Sequence, residues 1–197
     1  PEVCPVSGLN ITEKAGWTDI PLVDGYTVTF RFIGDRILLT VPEGYSGNHG
    51  LAALFREREK VLSQMLPEGE SYVELRDYGR VSGKPNWNAR KQMVQGLRAG
   101  QDRMRGLVLF NVSPAVGIVA SVGMRLYRYP FWACLASDYR DAVSRALEMM
   151  KKEKTGRAQD DRLIIGNQAG NGNQFEAYVD ELVRYIGQIN WETDATG

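Results

Sequence analysis

Between residues 72 and 135 the sequence runs Tyr72-Val73-Glu74-Leu75-Arg76-Asp77, a helical stretch from Trp87 to Arg105, Leu107-Val108-Leu109-Phe110-Asn111, a second helical stretch from Pro114 to Met124, and Phe131-Trp132-Ala133-Cys134-Leu135. Strand and helix signals that alternate in this way predict βαβ units feeding one sheet. The central run Leu107-Val108-Leu109-Phe110 is apolar without interruption, as expected of a strand covered on both faces. Ser113-Pro114 supplies a hydroxyl cap followed by a proline at the first helical position. The fold class is therefore α/β.

Working outward, Tyr26, Val28, Phe30 and Phe32 alternate with Thr27, Thr29 and Arg31, and after Gly34-Asp35 the run Arg36 to Val41 returns, which predicts a β-hairpin. From Asn48 to Leu66 the residues Leu51, Leu54, Phe55, Leu62 and Met65 recur at helical spacing, with Arg56, Glu57, Glu59 and Lys60 on the far side. Ser137-Asp138 opens a last helix over Tyr139 to Lys152, with Val143, Ala146, Leu147 and Met150 inward. The predicted order is β-β-α-β-α-β-α-β-α over residues 26–152, a mixed sheet of about five strands. Residues 1–25 read as an extended, loop-like entry in which Trp17 and Ile20 pack on the domain edge. Residues 153–172 read as a linker containing a short apolar strand or clip, Arg162-Leu163-Ile164-Ile165. Residues 173–190 carry the amphipathic stripe Phe175, Tyr178, Val179, Leu182, Ile186 and Ile189, and 191–197 form a polar tail. A helix of that length is marginal alone and needs a surface on this domain, on a second copy or on a following domain.

Composition limits the function classes. At 197 residues and 43% hydrophobic side chains the chain can bury a core. Lys plus Arg and Asp plus Glu both number 24, so nothing pulls the whole molecule towards nucleic acid or anionic lipid. Two distant cysteines, Cys4 and Cys134, form no disulfide framework, and Cys134 reads as a buried thiol. The apolar runs are too short for a membrane span, and no basic-then-apolar leader opens the sequence, so the expectation is a cytoplasmic module.

Few residues could carry chemistry. The sole histidine, His49, reads as a surface residue at a helix start, without a second histidine to share a metal. Gly166 to Gly172 looks superficially like a phosphate cradle but lacks the following Lys-Ser/Thr, so it reads as linker. Arg98, Arg103 and Arg105 read as a solvated helix end rather than a nucleic-acid face. The loop from Asp77 to Arg90 leaves the carboxyl end of a strand, where open α/β sheets place ligands. It offers Asp77, Tyr78, Arg80, Ser82, Trp87 and Arg90 as a contact for a small ligand or partner; the plainer reading makes it a connection capped by Asn86 and anchored by Trp87. No catalytic residue, metal or cofactor is expected. The rival reading is an enzyme domain using Asp77, Arg80 and Arg90 in a cleft.

Two family resemblances bear on this. Cys4-Pro5-Val6-Ser7-Gly8-Leu9, Trp17-Thr18-Asp19, Gly25 to Phe30, Ile33-Gly34-Asp35, Ile37-Leu38-Leu39, Glu74 to Tyr78, Ala89-Arg90, Gly106 to Pro114 and Asp138 to Val143 resemble the amino-terminal sensory domain of bacterial sensor histidine kinases and PAS-containing signalling proteins. The resemblance implies a non-catalytic regulatory module of a two-component system. It also implies downstream PAS or kinase domains; the stripe over residues 173–190 adds a homodimer through the carboxy-terminal helix as one way to bury it. The element order is also similar to the anti-sigma-factor-antagonist, or STAS-like, fold. In that family a serine at a helix start is a phosphorylation switch. Matching Asp77 to that family's strand-end acid puts the switch position near Asn86, so the serine at hand is Ser82, earlier in the loop.

Overall fold

A computed structural model describes residues 2–83, 87–127 and 129–152, with the backbone alone at 87, 88, 90, 115, 119 and 125–127. Its elements are β1 (Ile11–Thr12), β2 (Ile20–Val23), β3 (Tyr26–Ile33), β4 (Ile37–Gly44), α1 (Gly50–Met65), β5 (Tyr72–Asp77), α2 (Trp87–Ala99), β6 (Met104–Phe110), α3 (Pro114–Tyr127), β7 (Trp132–Leu135) and α4 (Tyr139–Lys151). The linker, the 162–165 stretch, the 173–190 helix and the tail expected from the sequence lie outside the described residues.

The strands form one mixed sheet in the order β1-β3-β4-β5-β6-β7, with β2 also paired to β3. β3 and β4 are antiparallel, and β4, β5, β6 and β7 run parallel. The mixed α/β fold and the order from β3 to α4 are those the sequence predicts. The hairpin turns at Gly34, whose φ of 64° lies in the left-handed region that glycine occupies without a Cβ penalty.

Alternation sorts the strand residues into two cores. On one face Val28, Phe30, Phe32, Leu38, Leu107 and Leu109 pack with Leu51, Leu54, Phe55 and Leu62 of α1, Leu97 of α2, and Ala120 and Met124 of α3. On the other, Val73, Leu75, Val108 and Phe110 pack with Ala142, Val143, Ala146 and Met149 of α4. The first three helices therefore cover one side of the sheet and α4 covers the opposite side. α1 and α2 approach closely because residue 96 is glycine: a Cβ there would lie 2.1 Å from the Phe55 ring. Asp138 caps α4 by accepting from Asp141 N at 2.9 Å, while Asp141 accepts from Ser137 N at 3.0 Å. Among the described residues no helix is long and apolar enough to cross a membrane.

Three expectations need correction. The sheet has seven strands rather than about five, because the entry segment contributes β1 and β2 to β3. The backbone groups on the outer edge of β3 need partners; strands of two and four residues are too short to leave an alternating signal. The segment is anchored further by Trp17, whose Nε1 donates to Gln64 Oε1 at 3.0 Å, and by fully buried Cys4, whose Sγ lies 3.3 Å from Tyr139 Oη.

Secondly, α2 ends at Ala99 instead of continuing to Arg105. Gly100 breaks it, Met104 N donates to Gly100 O at 3.1 Å, and Met104 begins β6 fully buried. Thirdly, Arg103 and Arg105 are not a solvated helix end. Arg103 Nη2 donates to Leu66 O at 3.3 Å and Pro67 O at 3.4 Å, just past α1. Arg105 Nη1 donates to Met150 O at 3.0 Å, at the end of α4. A guanidinium satisfies terminal carbonyls and complements the negative end of each helix dipole.

Candidate functional site

At the carboxyl ends of the parallel strands the chain leaves β5 through Asp77 and turns at residues 79–80. Asp77 Oδ1 accepts from its own loop, Gly79 N at 2.8 Å, and from Asn111 Nδ2 at the end of β6 at 2.9 Å. Asn111 holds a φ of 53°, a region asparagine tolerates better than most residues but still at a cost. Its side chain thus joins two strand ends while its backbone turns out of the sheet. Tyr78 N donates to Phe110 O at 3.0 Å, and its half-buried ring packs on the main core.

The far side of the loop is tied to β4. Gly44 N donates to Arg80 O at 3.0 Å, Ser82 N donates to Gly44 O at 2.9 Å, and Val81 forms an isolated parallel bridge to Gly44. Gly83 lies against the ring of Tyr45, which is 45% exposed. Arg80 Nη1 pairs with Glu43 Oε2 at 3.1 Å, with both side chains more than half exposed, so the pair adds little stability.

Of the six sequence-derived candidates, the structure brings Asp77, Tyr78, Arg80 and Ser82 onto this one doubly anchored loop, with Arg80 and Ser82 outward. Trp87 opens α2 and Arg90 lies in its first turns; their side chains lie outside the described residues. Asn86, the expected cap, lies outside them too. Both partners of Asp77 are donors that fix the loop's own shape, and the outward surface is a mixed pair of charges beside a hydroxyl and an aromatic ring. Such a surface suits recognition. Among the described residues no group of three or more His, Cys, Asp and Glu is placed to hold a metal. His49 stands at the N-cap of α1 and makes no side-chain cap.

Sequence reasoning missed a second cluster. Glu74 and Arg76 of β5, Arg58 of α1 and Thr40 of β4 are buried beneath α1 and α2. Glu74 Oε1 accepts from Arg76 Nη2 at 2.6 Å, Arg76 Nε at 2.9 Å and Thr40 Oγ1 at 3.0 Å. Arg58 Nη1 lies 3.3 Å from Glu74 Oε2, and Arg58 Nη2 lies 2.7 Å from Glu59 Oε1, a side chain half in solvent. The Phe55 ring meets both cations, with Arg58 Cζ 4.7 Å and Arg76 Cζ 5.2 Å from its centroid.

Burial by itself would raise the Glu74 pKa, but the two guanidiniums and the donated hydrogen bonds hold it below the usual carboxylate range. Burial would lower the Arg58 and Arg76 pKa values, and Glu74 instead raises both. Two cations and two anions balance, so the cluster acts as a polar rivet between helix and sheet. Its signal was present: Arg58 falls inside the apolar stripe through Leu51, Leu54, Phe55, Leu62 and Met65, and Glu74 and Arg76 share the face of β5 that begins with Tyr72.

No protein-family model matches the chain, and no curated protein matches it significantly. The chain is similar to a solved structure described as an uncharacterized protein from the DUF3478 family with a SpoIIAA-like fold, from Shewanella loihica PV-4. The two share 13% identity with a TM-score of 0.46, over 62% of this chain and 94% of the other.

Proposed function

We propose that this chain is a non-catalytic regulatory module of a bacterial signalling protein. A partner or ligand is recognised at the loop beginning with Asp77, and the change passes through residues 173–190 to a downstream domain, of PAS or kinase type in a two-component system. The observation that carries the reading is a loop with outward polar groups whose backbone is fastened at both flanks. Asp77 and Asn111 fasten one side, and the Gly44 hydrogen bonds fasten the other. A surface held in one shape loses little conformational entropy on binding. Relay requires the partner to discriminate between two states, and the strained Asn111 turn is where they would differ.

The test is a photo-crosslinking amino acid placed at Arg80 or Ser82 in the full chain in its own cells, with the exposed Glu148 on α4 as control. One discrete adduct confined to the loop positions supports the reading. Equal labelling at both places, or none at the loop, refutes it. The relay is tested separately by deleting residues 173–197: unchanged stability and oligomeric state would remove the transmission step. A partner-switch form of the same reading is favoured by the exposed Ser82 beside Arg80. Intact-mass analysis of protein purified from cells would show the phosphate, or its lack would discard this form.

A further inference from the structure

The start of α1 lacks what a helix of its length usually has. β4 ends at Gly44, and Tyr45-Ser46-Gly47-Asn48-His49 lead into Gly50, the first residue of α1, so glycines recur at 44, 47 and 50 between a strand and a helix. The first turn, Gly50-Leu51-Ala52-Ala53, holds no acid, and the exposed His49 at the N-cap makes no side-chain cap. Helix starts favour Ser, Thr, Asp or Asn as cap and acids in the first turn, which satisfy the leading amides and offset the positive end of the dipole. The residues at the start of α1 do neither.

Of the first four amides, three are accounted for. Gly50 N donates to Ser46 O at 2.8 Å, and Ala53 N donates to His49 O at 3.2 Å. Ala52 N donates to Gln92 Oε1 at 3.1 Å while Gln92 Nε2 donates to Asn48 O, so α2 supplies one cap from outside. Leu51 N has no hydrogen-bond partner among the described residues. That amide is one an N-cap side chain would normally satisfy.

An observation independent of the helix points to the same place. Ser46 is only 8% exposed, yet its hydroxyl has no hydrogen-bond partner among the described residues. Buried hydroxyls nearly always have one. Arg31 Nε, Tyr72 Oη and Arg105 Nε are the described side-chain atoms sealed from solvent without a partner, so the Ser46 hydroxyl faces an opening. Its Cβ lies 3.2 Å from where a Cβ on Gly50 would stand, which presses the side chain against the first residue of α1. Gly47 has a φ of 54°, and a Cβ there would meet nothing within 4 Å, so the approach is clear.

A hydroxyl and an amide at the positive end of a helix are donors in need of an acceptor, and an oxyanion is the acceptor such a place favours. The loop from Gly44 to Gly50 carries no lysine to hold a second phosphate, and Glu43, the acid next to it, is paired with Arg80. We infer that the start of α1 binds a single phosphoryl group through Leu51 N and Ser46 Oγ, with the His49 imidazole at its rim. The site adjoins the Asp77 loop where Tyr45 packs on Gly83, but it does not rest on partner recognition there.

The test titrates the isotope-labelled full chain with inorganic phosphate, against sodium chloride of matched ionic strength. Saturable amide shifts at Gly50 and Leu51 are expected with phosphate and not with chloride. Ser46→Ala should weaken phosphate binding at least about tenfold, the loss of one hydrogen bond to a charged group. The same variant should keep its urea midpoint, because the hydroxyl has no partner in the chain; a lowered midpoint would reveal one and overturn the inference. His49→Asp sets a carboxylate on Leu51 N, and should abolish phosphate binding and raise the unfolding temperature by about 2–4 °C. Glycerol phosphate and O-phosphoserine, titrated likewise, separate a small phosphate ester from a phosphorylated side chain: the tighter names the source, and equal affinities show that the phosphoryl group alone is recognised. No saturable shift at Leu51, equal phosphate affinity in Ser46→Ala, or phosphate binding retained by His49→Asp would overturn the inference.

Discussion

Replacing Glu74 by glutamine is the sharpest test of what holds α1 to the sheet. The substitution keeps the shape and one acceptor oxygen but removes the cluster's buried anion. Glu74 is fully buried, with Arg76 at 2.6 Å and Arg58 at 3.3 Å. Two guanidiniums would then share the half-exposed Glu59, on the Arg58 side only. Breaking a buried pair by removing one partner costs about 3–5 kcal/mol, because the remaining charge is desolvated without compensation. That is a large part of the roughly 5–15 kcal/mol that stabilises a whole domain. With a urea slope of about 2 kcal/mol per molar, the unfolding midpoint should fall by about 2 M.

The pH dependence has a fixed sign. The Glu74 pKa is lowered in the folded state, so its stabilisation is present above the unfolded carboxylate range, near pH 4.3, and is lost as pH falls through the folded value beneath that range. The wild type should therefore lose stability below about pH 4 more steeply than Glu74→Gln. A companion variant with Arg58, Glu74 and Arg76 all replaced by apolar residues of similar volume should recover most of the loss. Urea melts followed by circular dichroism measure all three proteins. A Glu74→Gln loss under about 1 kcal/mol, or an unaltered acid slope, would show that water reaches the cluster and that the rivet is not buried.

The other predictions concern neighbouring contacts. Gly96→Ala places a Cβ 2.1 Å from the Phe55 ring and should cost at least about 2 kcal/mol in a denaturant melt. A double-mutant cycle with Phe55→Leu should return much of that, and strict additivity would refute the contact. Asn111→Ala keeps the 53° φ without asparagine's local help and loses the 2.9 Å bond to Asp77. The expected loss is about 2 kcal/mol, with faster exchange at Gly79, and an unchanged Gly79 amide would count against the loop's anchoring. Tyr72 Oη is buried without a hydrogen-bond partner among the described residues, so Tyr72→Phe should leave stability unchanged or raise it by up to about 1 kcal/mol. A loss above about 1 kcal/mol would reveal a partner.

Local pattern alone determined the hairpin from Tyr26 to Val41, the β-α alternation after it, the strand Leu107 to Phe110 and the start of α4 at Asp138. Each depends on periodicity or capping within a few residues, and tertiary contacts agree with it. That Asp77, Tyr78, Arg80 and Ser82 share one loop was also legible, since the strand signal stops at Asp77 and glycines at 79 and 83 turn the chain. What tertiary structure alone decided is where charged and short segments go. Arg103 and Arg105 resemble any helix-end cations until α1 and α4 bring their last carbonyls within reach. β1 and β2 become strands only because β3 offers them an open edge. Glu74 and Arg76 alternate with apolar residues as a half-exposed strand would, and they become a buried ion cluster only when Arg58 on α1 descends onto that face. Periodicity records which residues share a side; which side is dry depends on what packs against it, and that is a property of the assembled chain.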